Sequence, residues 1–183
     1  IAQGYGVQSV PGVSEEISAF SPEDLYSNLL GARIAITVIL QGRAESVAEY
    51  NAAMTAELKR VLLRLDVATK SETESKFREL DGDWWNSKRR VPDKFLVLKR
   101  NYSLENNRLP TPVAYESTVP YQLTFPAAVA GYLLSQLAEL QIYPGDKMQQ
   151  LPVPASFYSS SQFQQLADKA QEADKVQLER LKK

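Results

Sequence analysis

Ser46-Val47-Ala48-Glu49-Tyr50-Asn51-Ala52-Ala53-Met54-Thr55-Ala56-Glu57-Leu58-Lys59-Arg60-Val61-Leu62-Leu63-Arg64-Leu65 decides the fold class. Its first four residues form a capping box, in which the serine oxygen takes a free helical N–H and the glutamate returns the favour to the serine N–H. Val47, Met54, Leu58, Val61 and Leu65 then recur at intervals of three and four, with Tyr50 and Leu62 widening the stripe. Such spacing belongs to a helix with one apolar face.

Helical signals extend to either side. Upstream, Ser21-Pro22-Glu23-Asp24 offers a cap, a proline at the first helical position and two acids where the helix dipole favours negative charge. Leu25, Leu29, Ala32, Ile36 and Ile39 follow at helical spacing, and Gly42 supplies a stop. The β-branched run from Ile34 to Ile39 leaves a buried strand as the alternative. Downstream, Ser71-Glu72-Thr73-Glu74 reads as a second capping box, opening a helix whose inward face is Phe77, Leu80 and Trp84.

Beyond residue 87 the composition changes. Eight of the ten prolines lie between Pro92 and Pro154, and proline removes a backbone donor while pushing its predecessor toward extended geometry. Residues 87–124 therefore read as an ordered, non-helical excursion, with Phe95-Leu96-Val97-Leu98 and Val113-Ala114-Tyr115 as possible short strands. Helix resumes over 125–141, where Val129, Leu133, Leu137 and Leu140 face one way and Ala127, Gly131 and Ser135 form a small-residue strip. Tyr143-Pro144-Gly145-Asp146 is a turn. Ser159-Ser160-Ser161-Gln162 starts a last helix with a thin apolar side of Phe163, Leu166, Ala170, Ala173, Leu178 and Leu181.

The expected architecture is mainly α: an irregular bundle of four to five helices with a long proline-rich ordered loop region between the third and fourth. Its expected core is Leu29, Ile36, Met54, Leu58, Val61, Leu65, Phe77, Leu80, Leu133 and Leu137. Residues 1–13, with three glycines and no charge, read as an extended N-terminal arm; 14–158 as the helical core domain; and 159–183 as a C-terminal helix, partly exposed or packed on a partner. The chain starts at Ile1, which fits either removal of a leader or a trimmed chain, and no signal-peptide pattern survives to decide between them. Leu29–Leu40 carries Arg33 and 125–143 carries Gln136, Glu139 and Gln141, so neither reads as a membrane span.

Two zeros bound the chemistry. The 183 residues include no histidine and no cysteine, which removes Ser-His-Asp and Cys-His nucleophiles, His/Cys zinc sites, Fe–S clusters and disulfides. Lys plus Arg number 21 and Asp plus Glu 22, a net charge of -1, unlike the plainly basic balance of a dedicated polyanion binder. Phosphate-cradling glycine motifs are absent. Asp81-Gly82-Asp83 is the nearest approach to a cation loop and lacks the ligand count calcium needs. Asn101-Tyr102-Ser103 matches a glycosylation acceptor. We therefore expect no cofactor, no metal and no catalytic set.

The candidate binding residues are Trp84, Trp85, Lys88, Arg89, Arg90, Lys94, Lys99, Arg100 and Tyr102. From Lys88 to Arg100, six basic residues face one acid, Asp93. Basic side chains interleaved with aromatics suit an acidic patch on a protein partner, an anionic lipid surface, or phosphates with stacked bases. The expected function is a non-enzymatic structural or assembly subunit, docking on other protein subunits through its arm, this basic loop and its last helix. An accessory nucleic-acid-binding role is the alternative, and a carboxylate enzyme a third.

Finally, Pro120-Tyr121-Gln122-Leu123-Thr124-Phe125-Pro126, the apolar stretch Ala127–Leu140 expected to be helical, and a polar helix over Gln162–Lys183 follow one another. That order, about a third of the chain, resembles the C-terminal part of the head-to-tail connector proteins of tailed phages. The resemblance implies a ring-forming virion adaptor and assigns no residue roles.

Overall fold

A computed structural model describes residues 20–84, 86–89, 99–113, 119–129, 131–137, 139–143 and 156–180. The expected arm, Trp85, Arg90, Lys94, the Phe95–Leu98 and Ala114–Tyr115 strands, and the turn from Pro144 to Asp146 lie outside those residues. The described chain is mainly α, with five helices and three two-stranded antiparallel ladders.

α1 spans Pro22–Leu40, and Ser21 caps it by accepting from the Asp24 N–H at 3.1 Å. At its far end Gly42 takes φ +67°, and the Gly42 and Arg43 N–H groups bond the Ile39 and Val38 carbonyls at 3.0 and 3.1 Å. A glycine enters that left-handed geometry at no steric cost. The run 34–39 is thus helical, and the strand alternative does not hold.

The buried face of α1 is not the expected one. Tyr26, Ile34 and Val38 are buried, while Ile36 and Ile39 are 49% and 58% exposed. Apolar side chains occupy both sides of this helix, so periodicity leaves its rotation open. Tertiary partners decide it: the Tyr26 hydroxyl donates to the Tyr121 carbonyl at 2.8 Å, and α1 packs against the next helix, Val47–Arg64, and against the paired strands Asn107–Arg108 and Leu123–Thr124.

α2 spans Val47–Arg64, with the Glu49 N–H donating to Ser46 Oγ at 3.2 Å. Ala53 and Glu57 are its buried residues; Met54, Val61 and Leu65 are half-buried, and Leu58 is exposed. The small Ala53 lets α1 approach closely. Past the C-cap Leu65, Asp66 sits at φ +51°, and the Asp66 and Val67 N–H groups return to the Leu63 and Leu62 carbonyls, each at 3.2 Å. Asp66→Gly is expected to stabilise the fold by about 0.5–1 kcal/mol by relieving the Cβ at this left-handed position; a denaturation midpoint that fell instead would contradict that.

α3 spans Lys70–Leu80, capped by Thr69 rather than Ser71. The Glu72 N–H donates to Thr69 Oγ1 at 3.3 Å, and the Thr69 N–H donates to Glu72 Oε2 at 2.7 Å. Thr-x-x-Glu and Ser-x-x-Glu are chemically equivalent boxes; the earlier one wins here, lengthening the helix and letting Lys70 approach Glu74 at 3.7 Å. Contrary to expectation, α3 has no fully buried residue: Phe77 is 56% exposed and Leu80 half-buried.

Residues 99–113 and 119–122 hold no helix. β1 (Asn107–Arg108) pairs antiparallel with β2 (Leu123–Thr124), burying Leu123.

The expected helix over 125–141 is corrected as well. β3 (Ala128–Val129) and β4 (Tyr132–Leu133) form a hairpin that turns at Gly131, φ +85°, and among the described residues of this stretch only Leu134–Leu137 is helical, as α4. Glycine inside a helix costs roughly 1 kcal/mol relative to alanine, whereas a tight hairpin uses its positive φ. Leu133 is consequently 49% exposed rather than core. The element order behind the connector resemblance is thus not the one observed.

β5 (Gln141–Ile142) pairs with β6 (Tyr158–Ser159) and delivers the chain to a 3-10 turn, Ser160–Gln162, and then to α5, Phe163–Arg180. Gln162 Oε1 accepts the Ser159 N–H at 3.0 Å. On α5, Leu166 and Ala167 are buried, Ala173 is exposed, and its neighbour Asp174 occupies the inward stripe. Among the described residues the apolar core is Tyr26, Ile34, Val38, Ala53, Leu123, Tyr158, Leu166 and Ala167.

Candidate functional site

The described members of the basic-aromatic set singled out in the sequence go to three places. Lys88 and Arg89 are exposed in a turn after α3. That turn is held by Asp81, whose carboxylate accepts the Ser87 N–H at 2.9 Å and the Ser87 hydroxyl at 2.6 Å. The Ser87 hydroxyl, then its N–H, hold the Asp81 carboxyl below its ordinary 3.8. A depressed acid stabilises the fold above its unfolded pKa, and that contribution is lost as pH falls through the folded value. Acidification below about 3.8 is therefore expected to open the 81–87 turn locally, read as lost exchange protection at the Ser87 amide. In Asp81→Asn the same amide should be little protected at neutral pH.

Arg100 and Tyr102 face inward. Arg100 Nη1 lies 2.6 Å from Asp174 Oδ2, their side chains 14% and 13% exposed, and the Tyr102 hydroxyl donates to that same oxygen. The Phe20 ring stacks near Tyr102 with centroids 5.1 Å apart. Gln164 adds two ties, accepting the Leu104 N–H at 3.2 Å and donating to the Tyr102 carbonyl at 3.4 Å. Burial first, then Asp174, pushes the Tyr102 phenol well above its ordinary value. These two residues clamp α5 to the 100–104 segment through Asp174.

Trp84 and Lys99 meet elsewhere. Together with Val67, Phe77, Leu80, Pro112 and Val113 they line an open groove of about 760 Å³ along α3. Phe77, Trp84, Val67 and Val113 remain 56%, 52%, 57% and 48% exposed. Glu72, Glu79, Lys76 and Lys99 stand along its edges, with Lys76 Nζ 3.0 Å from Glu79. The groove's far wall is anchored where Glu23 Oε1 accepts the Thr111 N–H at 3.2 Å. Partial burial raises the Glu23 pKa, but the Thr111 bonds and the charge of Lys99 outweigh it and leave the carboxyl below its ordinary value.

A second concavity was not anticipated. Arg33 from α1 and Glu57, Arg60 and Arg64 from α2 line a pocket of about 160 Å³ with Tyr121. Arg64 donates to the Tyr121 hydroxyl at 3.1 Å and lies 5.4 Å from that ring's centroid; Arg33 donates to the Thr124 carbonyl at 3.3 Å. The i, i+3, i+7 spacing of Glu57, Arg60 and Arg64 was the available signal, but it resembles any solvated helix face.

Among the described residues, no group of three or more His, Cys, Asp or Glu side chains is disposed to hold a metal ion, and no helix is long and apolar enough to cross a membrane. Residues 1–114 match the family described as "Protein of unknown function (DUF4056)". The chain belongs to that family. No curated protein and no solved structure matches it. Every residue lining the α3 groove falls inside the family span, as do Arg33, Glu57, Arg60 and Arg64; Tyr121 and Asp174 lie beyond it.

Proposed function

We propose that this member of the DUF4056 family is a non-enzymatic assembly subunit that docks on another protein subunit through the α3 groove. One observation carries the reading: four large apolar side chains, Val67, Phe77, Trp84 and Val113, stay about half exposed along one wide channel. Exposed apolar side chains gathered in one channel and rimmed by polar residues mark interaction sites. The occupant we favour is an amphipathic protein segment whose aliphatic side chains fill the channel, with an acid opposite Lys99 and a base opposite Glu72. Arm residues 1–13 and the outer face of α5, where Val176 is 50% exposed, would extend the same contact. In the same reading the helices pack as an irregular bundle, and the proline-rich stretch is an ordered excursion that supplies one groove wall.

Phe77→Asp is the test. The variant is expected to keep wild-type helical circular dichroism, because α3 buries nothing fully, while losing a stoichiometric partner subunit that copurifies with the wild-type chain. A partner retained at full stoichiometry by Phe77→Asp and by Val113→Asp would refute the docking. The exposed Lys88 and Arg89 beside Trp84 favour one second reading, nucleic-acid binding. It predicts affinity that falls steeply with salt and on changing Lys88 and Arg89 to alanine.

A further inference from the structure

We infer that the pocket between α1 and α2 is a binding site for a phosphate group carried by a small molecule, gripped by Arg33, Arg60 and Arg64. Three guanidiniums against one carboxylate, Glu57, leave a local charge of +2, which matches a phosphate dianion. The volume of about 160 Å³ suits one such group with a small organic substituent. Each guanidinium has five N–H donors in a planar fork. Arg33 spends one on the Thr124 carbonyl, Arg64 one on the Tyr121 hydroxyl, and Arg60 one on Glu57.

Those bonds fix the guanidiniums instead of satisfying them. Tyr121 holds Arg64 by its hydroxyl and by its ring face, so little side-chain freedom remains to be lost on binding. The Glu57 side chain is 10% exposed and that of Arg60 70%, so the carboxylate is the buried member of the pair. Without an anion, three cations crowd one small concavity. A bound phosphate dianion takes two-point hydrogen bonds from such forks and relieves that repulsion. The apolar wall of Leu30, Ile34 and Val61 places the organic part of an ester against hydrocarbon.

The site is tested by titrating the intact ¹⁵N-labelled chain with inorganic phosphate, then phenyl phosphate, at constant ionic strength against chloride and acetate. Saturable shifts are expected at amides of 30–37, 57–64 and 121–124, with a dissociation constant of roughly 1 mM or below. Phenyl phosphate should bind several-fold tighter than inorganic phosphate if an ester is the natural form; equal affinity assigns the site to the free anion. Binding of phenyl phosphate should weaken as pH falls through about 6, where a phosphate ester loses its second charge. Arg33→Gln is expected to weaken binding at least tenfold, and Arg60→Lys, which keeps the charge but not the fork, several-fold. Shifts no larger than those from chloride, shifts spread over unrelated lysines, or affinity indifferent to both substitutions would overturn the assignment.

Discussion

Asp174→Ala is expected to lower the unfolding free energy by about 3–5 kcal/mol, the range for breaking a buried ion pair by removing one partner. The carboxylate serves two donors at one oxygen: Arg100 at 2.6 Å and the Tyr102 hydroxyl. With both side chains of the ion pair below 15% exposure, alanine leaves a guanidinium and a phenol where water reaches them poorly. Asn at 174 keeps an acceptor but loses the charge, so it should cost about half as much. Pairing Asp174→Leu with Arg100→Met should recover much of the loss, because an apolar pair in place of a buried ion pair is often neutral or better. Chemical denaturation measures the total. Exchange at 100–104 and along α5 shows whether the helix lifts from that segment, as the clamp requires.

The same clamp sets an alkaline limit. Tyr102 holds its proton above the ordinary 10.0, so its contribution is whole below that pH and is lost as pH rises from 10.0 toward the raised folded value.

Tyr158→Ala is the second large effect, at about 3–5 kcal/mol, the usual range for removing a buried aromatic ring. Tyr158 is 2% exposed, the largest fully buried side chain among those described, and lies opposite Ile142 at the ladder that launches α5. Its ring fills space that the short β5–β6 pairing cannot close by collapsing. Tyr158→Phe retains the ring and should cost no more than about 1.5 kcal/mol. If alanine cost as little as phenylalanine, the ring would not be packed as described.

Helix ends were the legible part of this chain. Ser21, Pro22, Gly42 and Ser46 act locally, within one turn of the backbone they satisfy, and the structure uses each as its chemistry dictates. Helix faces were less legible. On α1 the apolar residues surround the axis, and a hydrogen bond to Tyr121, 95 residues away, settles which side turns inward. The stretch after Phe125 satisfied helical spacing and hairpin chemistry at once, and Gly131 tips it to the hairpin. Within the candidate site, Trp84 and Lys99 share a groove, whereas the bonds of Arg100 and Tyr102 were not legible because their partner, Asp174, is more than 70 residues distant. Arg33, Arg60 and Arg64 escaped notice for the same reason, since only tertiary packing collects them.

Hydrogen exchange of groove amides 67–84 and 109–113, compared between the assembled and the isolated chain, tests the docking claim most directly. Our account predicts a discrete complex heavier than a single 20.5 kDa chain, with strong protection appearing at those amides only on assembly. A lone monomer from the native source, its groove amides exchanging identically in every preparation, would contradict it.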